Sequence, residues 1–332
     1  MFKLILRRVL VLIPLLLGVA AGAFFLARLA PGDFLAEMSL DPRISVETLA
    51  RMREQYALDL PWHTQFVRWL GAAFHGDFGY SLSCHCPAGS LLYERIGNTA
   101  MLAVTALALA LLIAVPPALL AATRRSSLAD RALAVLSAMS LSTPSFLLAL
   151  LAMALAARTG WFPIGGVHSL DGASLPLPLR LGDFLRHLIL PSAVLALRSA
   201  PGFYRQLRAE LIETLSQDYV LTARAKGLPE RTVLLKHALR NAVNPLVTMV
   251  GNSLGALLSG ALIVETVMSW PGLGSLTVQV LLGRDTNVLV ACLVFAALML
   301  AMANLLADVG LLLADPRAAG QTDVDKQGGV LA

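Results

Sequence analysis

Long apolar stretches alternate with shorter polar ones along this chain. Residues 9–27 are almost wholly apolar, follow Lys3, Arg7 and Arg8, and are long enough to cross a bilayer. Arg28 and Pro31 spoil a small-residue cleavage site, so this stretch reads as an uncleaved first span rather than a signal peptide. Apolar runs at about 99–122, 132–157, 188–204, 242–264 and 288–313 supply five further candidate spans. Pro116 and Pro117 interrupt the second. Ser140, Ser142, Thr143, Pro144 and Ser145 form a polar, kink-prone patch in the third. The fourth is expected to continue as helix beyond the membrane to residue 214, and Asn304 and Asp308 sit in the last turns of the sixth. The pattern predicts an all-α polytopic membrane protein with six transmembrane helices.

The polar stretches differ in character. Residues 31–97 form a long segment in which 44–58 have helical spacing and mixed charge, and Trp62, Phe66, Trp69 and Leu70 make an apolar stripe on a short helix. Such a stripe suits domain packing or seating at an interface better than a ligand site. Residues 158–186 are a loop with several Gly and Pro, and ETVMSWPGLG at 265–274 forms another, in an outer segment that extends to 287. Residues 217–245 are a basic island between two spans. Arg224, Lys226, Glu230, Arg231, Lys236 and Arg240 fall there within 17 residues. Residues 218–226 predict a short helix that stops at Gly227, where a left-handed residue would end it. A second helix restarts at Pro229 and runs into the next span.

Composition agrees with a membrane class. Of 332 residues 57% are hydrophobic and 14% charged, and the mean hydropathy is +0.72. The net charge of +5 is dispersed among apolar spans, so topology explains it better than nucleic acid does. The segments 1–8, 123–131, 205–240 and 315–332 hold 15 Lys and Arg in 71 residues. The segments 31–97, 158–186 and 265–287 hold 9 in 119. That bias places both ends in the cytoplasm and fits six spans. The chain contains no Gly-Lys dipeptide, hence no Walker A loop, and no HExxH.

Three candidate sites remain. Arg198 falls about 15 Å along the fourth span, near mid-membrane, where a charge costs on the order of 3 kcal/mol. It either lines a pathway and meets a substrate carboxylate, or lies nearer the cytoplasmic edge, or pairs with an acid of a neighbouring subunit. Ser142 and Ser145 serve helix contacts or line that pathway. His75, Cys84, His85 and Cys86 carry soft or borderline ligand atoms, but Cys-x-Cys on the outer side fits a plain loop or a disulfide better than a metal site. Cys292 lies in an apolar span and reads as packing. The basic island, taken alone, serves equally to touch anionic lipid or to dock a partner.

The island also carries a resemblance. DYVLTARAKGL at 218–228 and HALRNA at 237–242 resemble the EAA loop of ABC-importer permeases, in the form typical of the dipeptide/oligopeptide (peptide/nickel) group. Gly227 takes the Gly place, Ala223 the second Ala and Leu239 the Leu. Leu221, Thr222, His237 and Arg240 depart from the short form. The opening LRRVLVLIPLLLGV…LAPGD, GDFGYSL at 76–82, HLILPS at 187–192, ETVMSWPGLG at 265–274 and DPR at 315–317 agree, so the resemblance covers almost the whole chain.

The resemblance implies a type I ABC-importer permease fold in the bacterial inner membrane, with both termini cytoplasmic. Residues 1–30 would be the N-terminal end and first span, 31–97 an extracytoplasmic segment, 98–314 the core with its cytoplasmic loop at 205–240, and 315–332 a tail. Residues 217–226 would form a coupling helix seated in an ATPase subunit. Asp218, Tyr219, Ala223, Arg224, Ala225, Lys226 and Gly227 would carry it, with Arg224 and Lys226 meeting acidic or polar partner groups. Glu265 and Trp270 would shape the periplasmic gate, although a belt role suits the Trp equally. The implied partners are a homologous second permease, two ATPase subunits, an extracytoplasmic binding protein and membrane lipid. ATP and Mg would be bound by the partners, and no cofactor or metal by this chain. Di- or oligopeptides are the expected cargo, with nickel chelates, glutathione or another small solute as alternatives. A secondary transporter or channel would show inverted repeats or intramembrane acids, and a membrane enzyme a catalytic constellation. Neither pattern is visible in the sequence.

Overall fold

The computed structural model describes residues 2–29, 35, 45–55, 59–81, 83–84, 86–169 and 171–314. In chain order these form α1 (Phe2–Leu29), α2 (Val46–Gln55), α3 (Trp62–Phe74), β1 (Tyr80–Ser81), β2 (Cys86–Pro87), α4 (Ala88–Thr123), α5 (Leu128–Ser142), α6 (Ser145–Thr159) and α7 (Leu177–Leu215). They continue as α8 (Asp218–Ala225), α9 (Glu230–Thr232), a π-helical stretch (Val233–Ala238), α10 (Leu239–Ala242), α11 (Asn244–Val267), α12 (Leu273–Leu282) and α13 (Thr286–Ala314). The expected all-α architecture is present, with one minimal hairpin in which Ser81 faces Cys86. The sequence segments 30–33 and 315–317, His85 and the tail 315–332 lie outside the described residues.

The chain divides into two compact units, Met1–Ala100 with Ser269–Ala301, and Met101–Met268 with Met302–Ala332. In the first unit the apolar stripe of α3 packs on α1. Phe24 meets the edges of Phe66 and Trp69 at centroid distances of 5.8 Å each, and Phe25 meets Trp62 at 5.9 Å. Ala88 and Leu92 of α4 join Leu273, Leu276 and Val280 of α12 and residues 288–292 of α13 in one buried cluster. Cys292 is fully buried there, the packing role its position predicts. The outer face of α1 leaves Leu10, Val11, Ile13 and Leu26 exposed, as a lipid-facing helix does.

In the second unit α7 is the axis, with α5, α6 and α11 all packed against it. Leu188, Val194, Leu195, Phe203, Leu207 and Leu211 are buried along its length. Gly251 of α11 lets that helix approach α13 so closely that an added Cβ would collide with the Cβ of Ala307.

Several expected boundaries need correction. The polar segment 31–97 gives way to helix at Ala88, and α4 runs unbroken through Pro116 and Pro117. Of the expected loop 265–274 only 268–272 is non-helical, and the rest of the segment to 287 is largely helical. The third span is not one rod, because α5 and α6 meet at 102°. Pro144 disfavours helical geometry at the preceding residue, and Thr143 is accordingly extended (φ −85°, ψ 123°). A second break of 42° divides residues 244–258 of α11 from 261–267. The six-span count is therefore not reproduced by length and apolarity. Among the described residues three helices pass on their own, and five segments pass if each bent pair is one span. The fourth expected span, in α7, is not among them. Arg198, His187, Pro191 and Pro201 lower its apolarity; His187, Pro191 and Pro201 are buried against protein, and Arg198 is exposed.

Candidate functional site

The site is built around α8. At the end of α7, Ser216 turns its hydroxyl back to the Glu213 carbonyl (2.6 Å) and Gln217 takes an extended conformation, which starts the new helix. Asp218 stands in the first turn, where its charge favours the helix dipole. Thr222 returns its hydroxyl to the Asp218 carbonyl (2.8 Å). The helix ends in a full Schellman closure. The Gly227 N–H donates to the Arg224 carbonyl (2.9 Å), and the Leu228 N–H to the Ala223 carbonyl (3.4 Å). Gly227 has φ +75°, the left-handed value expected of it.

Only one edge of α8 is buried. Val220 and Ala223, three residues apart, pack with Val233 and Leu215 in a small apolar cluster. Asp218, Tyr219, Leu221, Thr222, Arg224, Ala225 and Lys226 are exposed. Leu221, half exposed at 50%, and Leu228 give that face apolar area, and Lys226 gives it charge.

Two side-chain ties fix the helix to the segment after it. The Arg224 guanidinium donates twice to Glu230, Nη2 to Oε1 at 2.6 Å and Nε to Oε2 at 3.2 Å. Asn241 donates from Nδ2 to the Tyr219 hydroxyl at 2.7 Å. The Arg224 bond, and secondarily its charge, hold the Glu230 carboxyl below its ordinary value. Arg224 thus spends its guanidinium within its own chain, across the Gly227 turn. Lys226, the residue that follows α8, has no ion-pair partner among the described residues. Beside this turn a cavity of about 330 Å³ is lined by Thr123, Arg125, Ile212, Leu215, Arg224 and Glu230.

The other sequence-derived candidates are dispersed. Arg198 lies exposed on α7, next to the exposed Leu197, and has no ion pair among the described residues. Ser142 and Ser145 flank the α5–α6 corner. The Ser142 hydroxyl is bonded back to the Ala138 carbonyl (3.0 Å), which leaves it less available to a passing solute. Glu265 is fully buried in the last turns of α11 in the second unit. Trp270 is in the first unit, 1% exposed, with Nε1 donating to the Asn98 carbonyl (3.3 Å). Asn98 in turn donates to the Pro271 carbonyl (2.8 Å). That packing corrects the belt alternative for Trp270, since a belt residue stands at the surface.

Cys84 and Cys86 are free, partly buried thiols, and Cys84 Sγ accepts from Gln279 Nε2 at 3.4 Å. Among the described residues no three His, Cys, Asp or Glu converge as a metal site.

The sequence reading missed Asp130 and Arg208. Asp130 of α5 is 5% exposed and receives Arg208 of α7 in a two-point bond, Nε to Oδ1 at 2.7 Å and Nη2 to Oδ2 at 2.8 Å. The local half was readable, because Ser127 and Asp130 have the spacing of a helix cap, and the Asp130 N–H does donate to Ser127 Oγ (3.1 Å). The other half lies 78 residues away and has no local signal.

Comparison with known proteins gives matches over nearly the whole chain. The family model described as "Binding-protein-dependent transport system inner membrane component" matches residues 114–320. An N-terminal companion, "Binding-prot-dependent transport system membrane comp, N-term", matches 1–111. The chain is 38% identical to the oligopeptide transport system permease protein AppB of Bacillus subtilis, over 94% of this chain and 98% of that protein. It is 36% identical to a putative peptide permease protein of Brucella ovis, over 96% and 99%. The glutathione transport system permease protein GsiC of Salmonella paratyphi A is 36% identical, over 93% and 96%.

Proposed function

Since the chain belongs to the family of binding-protein-dependent transport system inner membrane components, we propose that it forms half of the translocation pathway of an ATP-driven importer of di- and oligopeptides. The carrying observation is α8, a capped helix that buries Val220 and Ala223 and leaves the rest of its surface exposed. A short exposed helix held at both ends is suited to transmit a push rather than to absorb it. The ties from Arg224 to Glu230 and from Tyr219 to Asn241 make α8 and the segment after it one body.

In this reading two separate ATPase subunits bind ATP and Mg and close on each other. Each seats one such helix in a cleft, and Leu221, Ala225 and Lys226 meet that cleft directly. Arg224 and Gly227 hold the helix in place. The displacement passes through α7 and α11 and turns the cavity from outward-facing to inward-facing, a rotation of packed helices. A homologous second permease completes the pathway, because one chain carries one such helix and the motor has two clefts. An extracytoplasmic binding protein delivers the cargo. Both termini lie in the cytoplasm, residues 31–97 lie outside, and 98–314 form the core with its inner loop at 205–240. Arg198, exposed on the axial helix, faces the pathway, where Ser142 and Ser145 mark the corner of α5 and α6. Glu265 and Trp270 shape its outer end. The peptide assignment rests on the names of the relatives, and the glutathione permease among them is compatible, since glutathione is itself a small peptide.

The test is reconstitution of the full chain with its partner permease, ATPase and binding-protein subunits in liposomes. Uptake of labelled peptides from a mixed hydrolysate is expected only with ATP inside and binding protein outside. Uptake that is independent of ATP would contradict the reading, and selective uptake of glutathione would replace its cargo.

A further inference from the structure

We infer that Asp130 and Arg208 are a positioning pair that makes α5, α6 and the inner end of α7 move as one when α8 is displaced. The inference rests on the proposed role of α8 and deepens it. Arg208 stands on α7 ten residues before Asp218, on the stretch of helix that leads directly into α8. Its guanidinium grips both oxygens of Asp130, at 2.7 and 2.8 Å. A two-point guanidinium–carboxylate bond fixes orientation as well as distance. The carboxylate is also engaged from its own side, since the Ser126 N–H donates to Oδ2 (3.0 Å). Ser126 has φ +62°, an uncommon left-handed value for a residue other than glycine, so the same carboxylate holds the α4–α5 turn in a strained shape.

A second tie lies farther along the same two helices. Ser140 Oγ of α5 donates to the Leu197 carbonyl of α7 at 2.6 Å. The two ties are eleven residues apart on α7, about three turns. Helices joined at two such points cannot rotate or slide past each other without breaking one bond. Ser140 is close to the α5–α6 corner, so the path from α8 through Arg208, Asp130 and α5 ends at the bend. A purely structural pair would serve folding alone. This pair joins the segment that enters the exposed helix to the one that forms the sharpest bend.

The experiment measures peptide import per ATP hydrolysed in the complete reconstituted transporter, with the peptide that the wild type takes up. Asp130→Asn and Arg208→Gln are each expected to lower that ratio about fivefold or more while ATPase subunits still co-purify. The double variant is expected to be no worse than either single one, because both remove the same bond. Arg208→Lys, which keeps charge but not the fork, is expected between the wild type and Arg208→Gln. Ratios within about twofold of wild type, losses that multiply in the double variant, or complexes stripped of ATPase would overturn the pair. Should the single variants fail to accumulate, the double variant and Arg208→Lys decide by the same ratio, and failure of all four to accumulate would make the pair structural and overturn the inference. Failure of the docking reading is separate, because it appears as absence of ATPase from the wild-type complex.

Discussion

Gly227 carries the sharpest constraint on a single position. Its φ of +75° is strained for any residue with a Cβ, although space around it is open. Gly227→Val therefore acts through the backbone alone, at about 1–2 kcal/mol. The expected outcome is a frayed α8 with ATPase retention in pull-downs reduced several-fold, while the amount of chain in the membrane stays near wild type. Glu230 adds a pH dependence. Its folded carboxyl titrates below its ordinary 4.5, so the contribution of the Arg224 pair is complete above about pH 4.5 and is lost as pH falls through the lowered value. Both side chains are largely exposed, which limits the effect to less than about 1 kcal/mol. The protection factors of the amides in 224–230, taken relative to intrinsic exchange at each pH, should fall only below that pH, and Glu230→Gln should show the lowered protection already at pH 7. Arg198 offers a chemical test of the pathway. Arg198→Ala is expected to cut uptake of peptides with a free carboxylate about tenfold, and that of C-terminally amidated ones less. Equal effects on both would remove its role toward cargo.

Among the elements, those set by local chemistry were legible in the sequence. The stop at Gly227 and the apolar stripe of α3 follow from residue type and period, and both stand where the pattern puts them. The kink-prone patch at 140–145 was visible, but its angle was not, since a proline tells where a helix yields and its neighbours decide how far. The helix expected at 188–214 is present as α7, and the weakness of its apolar signal is more instructive. A helix covered by α5, α6 and α11 has no need of uniform apolarity, so a hydropathy criterion that assumes lipid contact passes over it. Long-range ties such as Arg208 to Asp130 had no periodic signal at all. Gly251 shows the same limit, since only the fold reveals that Ala307 stands against it. Gly251→Ala should lower the unfolding temperature of the purified chain in detergent, by an overpacking cost of about 1–3 kcal/mol, and Ala307→Gly should restore it. A variant as stable as wild type would mean that α11 and α13 separate freely.

At the scale of the whole molecule, the proposed function makes this chain a transmission between a motor and a pathway. Composition and charge bias identified the membrane class, and the motif around Gly227 identified the family to which the chain belongs. The central claim is that the exposed face of α8 is seated on an ATPase subunit. The direct measurement places single cysteines along α8 in a chain whose Cys84, Cys86 and Cys292 have been replaced, and cross-links them to the assembled ATPase. Cysteines at 221, 222 and 225 should join the ATPase, and those at 220 and 223, which face Val233 and Leu215, should not. Import by the cross-linked set should stop and should return on reduction. Equal reaction at all five positions, or none at any of them while import proceeds, would contradict it.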